Sequence, residues 1–493
     1  MLKVQFVYAP TRVPARFAEL GEGLTPPLGI LSLAANLRAN IPSLDISCID
    51  GLQLGYEKTV ETIHSFKPDV LGLSFNTPVA RSAYALIDEV RPVLPNSLIL
   101  CGGAHVTALP EECLRLSQAD AVVMGEGEET LTEIVRNFMA CGRRSKMDFS
   151  RIVGTAFRED GNPAINPPRP YIRDLDGLPV PARDLVDMKA YHGWYLCKQT
   201  PETTVIFSRG CPYRCVFCSN KVWNLSEPRL RFRSPTSVAD EMEELKKRYG
   251  IREVFDNSDE FNNSLKNAKE VCREIIRRNL GMTWKTQLRA WPLDEELVEL
   301  MAEAGCWYTH LGIESGDPAT LEGVGKKITL EQVEEACRLL KKHKIKVLGL
   351  FMLFNVWEED GTLRFEDIAT TQKTLDFADR LVRERLLDFI GWSITVPYPG
   401  SPLYDIALRH NLIKPWLKDQ WDAWLTEEFS VMQLPGVSDR DVARMKSKGS
   451  IIRAKCMLRS GGFRLKDFAY IARKVMKVVH NEMAIRFQRK KGR

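Results

Sequence analysis

The stretch SRGCPYRCVFCSN, residues 208 to 220, places Cys211, Cys215 and Cys218 within eight positions, with three residues in the first gap and two in the second. Thiolates are metal ligands, so three so close together point to a metal centre. Structural zinc needs four closed ligands, usually as two separated pairs. No second Cys/His pair follows at finger spacing, and His192 and His310 lie far off in the chain. A [4Fe–4S] cluster is normally held by four thiolates. Three thiolates leave one iron open, and a small chelating molecule can fill that place.

The cysteine stretch follows an apolar, β-rich run, TTVIFSRG (203–210), and that run opens a series. REVFDNSD (252–259), TWKTQLRA (283–290), WYTHLGIES (307–315), KVLGLFMLFN (346–355) and FIGWSITVPYP (389–399) read as further strands. Helical patterns separate them. Val238, Met242, Leu245 and Tyr249 share one helix face. Thr329 to Gln332 forms a capping box, followed by Leu330, Val333, Cys337 and Leu340 on an inward face. Six β/α units over residues 201–410 predict a partial barrel, two units short of a full one. In such barrels the active groups gather at the carboxyl ends of the strands. The cysteines then sit in the loop at the active end of the first strand.

Residues 1–141 alternate in the same way. KVQFVYAP (3–10), LDISCID (44–50), DVLGLSFN (69–76), SLILCGG (97–103) and DAVVMGEG (120–127) are five strand patterns with helical stretches between them. This predicts a parallel, doubly wound, flavodoxin-like sheet. Ligands of such sheets sit beyond the carboxyl ends of the strands. Those ends here offer Ser74, Phe75, Asn76, Gly102, Gly103, His105, Gly125, Glu126 and Gly127.

Residues 142–200 read as a proline-rich linker containing a hairpin that turns at Asp160-Gly161, with no evident chemistry. Residues 411–493 read as a helical C-terminal region rich in tryptophan and basic residues, and RFQRKKGR as a frayed end. The formal net charge of +5 on 493 residues does not call for nucleic acid. No run approaches the ~20 apolar residues of a membrane span, and MLKVQFVYAP does not read as a signal peptide. A cytoplasmic protein is the expectation. The nine remaining cysteines stand alone and are expected to pack as small buried hydrophobes.

The loop Cys211-x3-Cys215-x2-Cys218 resembles that of the radical S-adenosylmethionine superfamily. The resemblance implies a [4Fe–4S] cluster whose open iron takes the amino and carboxylate groups of S-adenosylmethionine. An electron from the cluster then splits the sulfonium to a 5′-deoxyadenosyl radical. It implies Phe217 near the adenine, and Asp259 or Glu260 on the amino group. Arg289 would bind the carboxylate, and Glu314 the ribose hydroxyls. TPPLGILSLAANLR, DVLGLSFNTP, GGAHVTALPEE and GEGEETL further resemble the cobalamin-binding domain of the cobalamin-dependent radical enzymes. By that resemblance the strand-end residues of the first domain contact cobalamin, with His105 near its nucleotide tail. The Asp-x-His-x-x-Gly of cobalt-ligating domains is missing: the segment after the first strand, YAPTRVPARFAELGEG, holds no histidine. Cobalt without a histidine ligand is the expectation.

The reaction so implied is methyl transfer from methylcobalamin to an unactivated carbon of a small molecule. The alternative is an oxidative cyclase, or another radical reaction without methylation. A flavodoxin or ferredoxin would supply electrons. The fifth barrel strand is followed by FMLFNVWEEDGTLRF in place of the Gly-Leu-Pro-Gly-Glu turn of many relatives. There Phe351, Phe354, Trp357 and Phe365 either line an acceptor pocket or pack the core or a lid.

Overall fold

The computed structural model describes residues 1–12, 25–191, 196–219, 222, 224–424 and 430–459. The first sheet contains β1 (Leu2–Tyr8), β2 (Leu44–Asp50), β3 (Val70–Ser74), β4 (Leu98–Gly102), β5 (Ala121–Val123), β6 (Thr155–Glu159) and β7 (Asn162–Ile165). Their spatial order is β2-β1-β3-β4-β5-β6-β7. The first five pair in parallel, and β6 and β7 join as an antiparallel edge. Alternate residues serve opposite faces. Val7, Leu71, Ile99 and Val122 pack in one apolar cluster, and Val4, Val70, Leu98 and Ala121 in another. Helices cover both faces, as burial of a parallel sheet on two sides requires.

The hairpin at Asp160-Gly161 forms where the sequence placed it, with positive φ at both residues. It does not lie free in a linker. β6 pairs with β5, and the short β5 gains a second partner in this way.

The second sheet is six parallel strands in the order β17-β14-β13-β12-β11-β8. They are β8 (Glu202–Val205), β11 (Glu253–Asp256), β12 (Thr283–Arg289), β13 (Cys306–Glu314), β14 (Lys346–Leu353) and β17 (Phe389–Ile394). Two short antiparallel pairs flank this sheet: β9 (Ser208–Arg209) with β10 (Arg231–Phe232), and β15 (Val356–Glu359) with β16 (Thr362–Phe365). Val238, Met242 and Leu245 are buried on the helix Pro235–Tyr249. The Thr329/Gln332 capping box opens the helix Leu330–Lys342, with Val333, Cys337 and Leu340 inward.

Of the tail, Asp439–Arg459 is helical, and its Gly449 packs closely on Trp392 of β17. Residues 411–424 and 430–438 are not helical throughout. They hold short 3-10 turns and an isolated bridge between Ile413 and Met432. Trp421 and Trp424 are buried in the apolar cluster of the first domain, so this segment straps the two sheets together. The basic end RFQRKKGR lies outside the described residues. So does most of the histidine-free segment after β1, from residue 13 on. Among the described residues no helix is long and apolar enough to cross a membrane.

Candidate functional site

The loop that carries the cysteines is closed at its base by the β9–β10 pair. Gly210 leaves this stem at φ +88°, and a Cβ there would fall 1.7 Å from the Arg229 carbonyl oxygen. Only glycine fits so close an approach. Inside the loop the Cys218 amide donates to the Cys215 carbonyl at 3.1 Å. The Val216 amide donates to Val324 O, and the Leu403 amide to Val216 O, each at 2.9 Å. The loop is thus stitched to the end of the helix Pro318–Gly323 after β13 and to the start of the helix Pro402–Arg409 after β17. Cys215 is buried, and Cys211 and Cys218 are partly exposed.

Burial, then the Glu260 carboxylate, pushes the Cys211 thiol up to about 12. Burial also raises Cys215, against the pull of Lys326 and Arg289. A cationic metal centre is what converts such thiols to thiolates. A single ion needs its donors close together. The only three-donor group within 4.8 Å among the described residues is Cys197, Glu202 and Glu253, at the opposite end of the barrel strands. Its centre is taken by the Lys285 ammonium, 2.7 Å from Glu202 and 3.4 Å from Glu253. The three loop thiols do not form such a close group, so no ready-made donor set for a single zinc ion stands there.

Around the thiols stand charges from three successive strand ends. Arg289, the last residue of β12, is 1% exposed, and none of its guanidinium nitrogens has a hydrogen-bond partner. Its guanidinium stacks on the Tyr213 ring at 3.7 Å and lies 3.9 Å from Glu260. Burial raises the Glu260 carboxyl, opposed by Lys326 and Arg289. Burial likewise raises Asp259, opposed by a hydrogen bond from the Gly210 amide. Glu314 ends β13 at φ +69° and pairs with Lys326 at 3.0 Å. Gly312 makes room for that pair, since a Cβ there would meet both charged groups at 2.8 Å. Phe217 is partly buried against the barrel core.

The structure therefore brings Cys211, Cys215, Asp259, Glu260, Arg289 and Glu314 into one charged neighbourhood. It adds two residues that the sequence reading missed. Tyr213 was visible between the cysteines but carried no charge to mark it. Lys326 lies in a loop beyond β13, and nothing local set it apart from the adjacent Lys327.

In the first domain, Ser74, Gly102, Gly103, Gly125 and Gly127 line a cavity of about 70 Å³. The rest of its wall is mainly apolar, including Ile30, Leu33 and Leu131. Gly103 sits at φ +100°, where a Cβ would meet the Phe75 carbonyl oxygen at 2.7 Å. The other four strand-end residues do not line it. Asn76 is exposed and donates to the Tyr8 hydroxyl at 3.1 Å. Phe75 is buried edge-on against Tyr84.

His105 differs most from expectation. It is fully buried, with Nδ1 3.2 Å from Thr77 Oγ1 and Nε2 3.1 Å from the Tyr84 hydroxyl and 3.2 Å from Glu112. Trp421 donates to the same Glu112 oxygen at 2.9 Å. With both ring nitrogens engaged in the core, the imidazole has none left for a ligand. Glu126 turns toward the barrel, where its carboxylate pairs with Arg231 at 2.8 Å and Arg209 at 3.1 Å.

Of the aromatics around the loop after β14, Phe354 lines a cavity of about 280 Å³ whose other walls come from residues 414–442. Phe351 and Phe354 are buried core residues, and Trp357 is seated over Gly323. Glu366, fully buried, ties the β15–β16 hairpin to β13 by accepting from Ser315 Oγ and the Asn355 amide.

A doubly wound domain with a glycine-lined cavity, joined to a six-strand partial barrel with a three-cysteine loop, defines a two-cofactor architecture. Residues 20–135 match the B12 binding domain family, and residues 205–365 the radical SAM superfamily. The chain belongs to the cobalamin-dependent radical S-adenosylmethionine enzymes. It is 31% identical over 465 residues to an uncharacterized methyltransferase of Pyrococcus horikoshii, covering 93% of this chain and 94% of that one. It is 29% identical over 394 residues to the anaerobic magnesium-protoporphyrin IX monomethyl ester cyclase of Rubrivivax gelatinosus, covering 78% and 66%. The fold is similar to that of the radical S-adenosylmethionine methyltransferase TsrM from Kitasatospora setae, solved with tryptophan and a cofactor analogue. That match has a TM-score of 0.66, 19% identity, and 92% and 89% of the two chains covered. The family's cofactors are a [4Fe–4S] cluster, S-adenosylmethionine and cobalamin. The three-cysteine loop and the Arg289 guanidinium without a hydrogen-bond partner fit the cluster and S-adenosylmethionine, and the glycine-lined cavity, about 70 Å³, has room for only a part of cobalamin.

Proposed function

We propose that this enzyme transfers a methyl group to an unactivated carbon of a small molecule. When bound, the cofactors supply the carbon radical and the methyl group. The protein's own residues bind, orient and shield. Cys211, Cys215 and Cys218 would hold the cluster. The buried Arg289 fork suits a carboxylate and has no other hydrogen-bond partner, so it would fix that end of S-adenosylmethionine. Asp259 or Glu260 would take the amino group, Glu314 the ribose hydroxyls, and Phe217 the adenine. Lys326 holds Glu314 by an ion pair, which orients the carboxylate. Ser74 and the four glycines would cradle cobalamin. His105 is committed to the core, so cobalamin would rest without this imidazole.

One observation carries the choice of methyl transfer over cyclisation. The Pyrococcus horikoshii relative, with 93% of this chain and 94% of that one covered, bears a methyltransferase name, whereas the matched cyclases are covered over only 60–77% of their length. A flavodoxin or ferredoxin would supply the electrons. The test is anaerobic incubation of reconstituted protein with methyl-labelled S-adenosylmethionine and candidate acceptors, followed by mass spectrometry. S-adenosylhomocysteine formed in step with 5′-deoxyadenosine, and labelled product, supports the reading. 5′-Deoxyadenosine without any S-adenosylhomocysteine supports the cyclase alternative.

A further inference from the structure

We infer that a four-residue ionic clamp, Glu126 and Glu128 with Arg209 and Arg231, is the positioning device that sets the two cofactor sites against each other. This rests on the functional reading above and adds the residues that hold its geometry. Arg209 and Arg231 face each other across the β9–β10 stem, in register. Arg209 is two residues from Cys211 in sequence, so the stem is the base from which the cluster loop rises. Glu126 and Glu128 flank Gly127 in the turn after β5, at the rim of the glycine-lined cavity. Arg209 spans both carboxylates, 3.1 Å from Glu126 and 2.7 Å from Glu128. Arg231 reaches both oxygens of Glu126 at 2.8 Å and donates to the Ile172 carbonyl at 3.0 Å.

The clamp is shielded and stiff. Arg231 and Glu128 are each 5% exposed. The Arg231 guanidinium stacks on Tyr171 at 4.7 Å. The Tyr171 hydroxyl accepts from the Leu225 amide within the cluster loop at 2.7 Å, and the Ile172 amide donates to Glu126 at 3.1 Å. Two carboxylates meet two guanidinium groups, so the charges cancel and none is left unpaired. Arg209 sends one nitrogen to each carboxylate, and Arg231 reaches Glu126 and Ile172 from one nitrogen, Nη1, so rim and stem are tied at several atoms. A surface ion pair would tolerate sliding; this arrangement locks the cavity rim to the stem of the cluster loop. Transfer between two bound groups depends steeply on such placement, and an error of about 1 Å can cost about a hundredfold in rate.

The test needs no knowledge of the acceptor. Wild type, Arg231→Met, Glu128→Gln and the conservative Arg231→Lys are loaded with cluster and hydroxocobalamin. Two activities are read under a low-potential chemical reductant: 5′-deoxyadenosine release, and methyl transfer from labelled S-adenosylmethionine to the corrinoid. The electron paramagnetic resonance of reduced cluster with cob(II)alamin reports their magnetic coupling independently of turnover. The clamp predicts that Arg231→Met and Glu128→Gln retain cluster and 5′-deoxyadenosine release, lose corrinoid methylation by about tenfold or more, and show a weakened, broadened coupling. Arg231→Lys recovers part of both. Unchanged methylation and coupling in both variants overturns the clamp, and so does a parallel loss of every readout with a fall in thermal stability. If wild type itself never methylates the corrinoid, the functional reading fails instead.

Discussion

Replacing Gly210 with alanine should empty the cysteine loop of its cluster while leaving the two sheets folded. The new Cβ falls 1.7 Å from the Arg229 oxygen, about as far again short of the 3.4 Å where ordinary contact begins. That oxygen belongs to backbone on the far side of the stem, so no side-chain rotation relieves the overlap. The positive φ costs a non-glycine residue about 1–2 kcal/mol. Forcing the backbone apart adds about 1–3 kcal/mol. A total of about 3 kcal/mol disfavours the closed loop by roughly a hundredfold. Gly361→Ala is the control, because Gly361 also has positive φ, +74°, but nothing within 4 Å of its Cβ. It should cost about 1 kcal/mol and leave the cluster intact. The assay is iron and sulfide per chain after anaerobic reconstitution, beside thermal unfolding of the apoprotein. Full cluster content in Gly210→Ala, with wild-type stability, would refute the steric argument.

Arg289→Met should weaken S-adenosylmethionine binding by about ten- to a hundredfold, since hydrogen bonds to a charged group are worth about 1.5–3 kcal/mol. In the apoprotein it removes the stacking on Tyr213 and the 3.9 Å pairing with Glu260 but no hydrogen bond, so stability should fall by no more than about 1–2 kcal/mol; calorimetric titration and thermal unfolding check the two halves. Burial pushes the Asp256 carboxyl up to about 6 from its ordinary 3.8, outweighing hydrogen bonds from Ser258, Thr286 and the Phe207 amide. A raised folded-state value means the stabilising contribution is present below pH 3.8 and lost as pH rises through about 6. Asp256→Asn should flatten that part of the stability-versus-pH curve by up to about 3 kcal/mol, read by urea unfolding between pH 4 and 7. Trp421→Ala removes a buried ring and its bond to Glu112, and should cost about 3–5 kcal/mol with earlier proteolysis of the 411–459 segment.

Much of this architecture is legible in the sequence because it is written locally. The first four barrel strand patterns end in polar or charged residues, and the cysteine loop announces itself by spacing. Gly103, Gly125 and Gly127 were readable as places of close approach, and the structure gathers them at one cavity. What the sequence hides is choice of partner over long distance. Arg209, Arg231 and Glu128 look like ordinary surface charges, and Glu126 like a cofactor contact, until the fold brings them together. The family resemblance put His105 near the nucleotide tail of cobalamin. The helix Ala104–Ala108 buries it instead, against Tyr84, Glu112 and Trp421. The tryptophans near 421 gave no sign that their core belongs to a domain some 300 residues earlier, because apolar side chains carry no address. The β6–β7 hairpin was legible as a turn, but the sheet it completes was not, since strand pairing depends on which edge stays open.

The most direct measurement of the central claim is electron–nuclear double resonance on the reduced, reconstituted cluster, with S-adenosylmethionine labelled by nitrogen-15 at the amino group and oxygen-17 at the carboxylate. Direct hyperfine coupling from both labels to one iron is expected, together with loss of the cluster signal in each of Cys211→Ala, Cys215→Ala and Cys218→Ala. A cluster whose resonance is indifferent to either label, or one that persists after any of those cysteines is removed, would contradict the account.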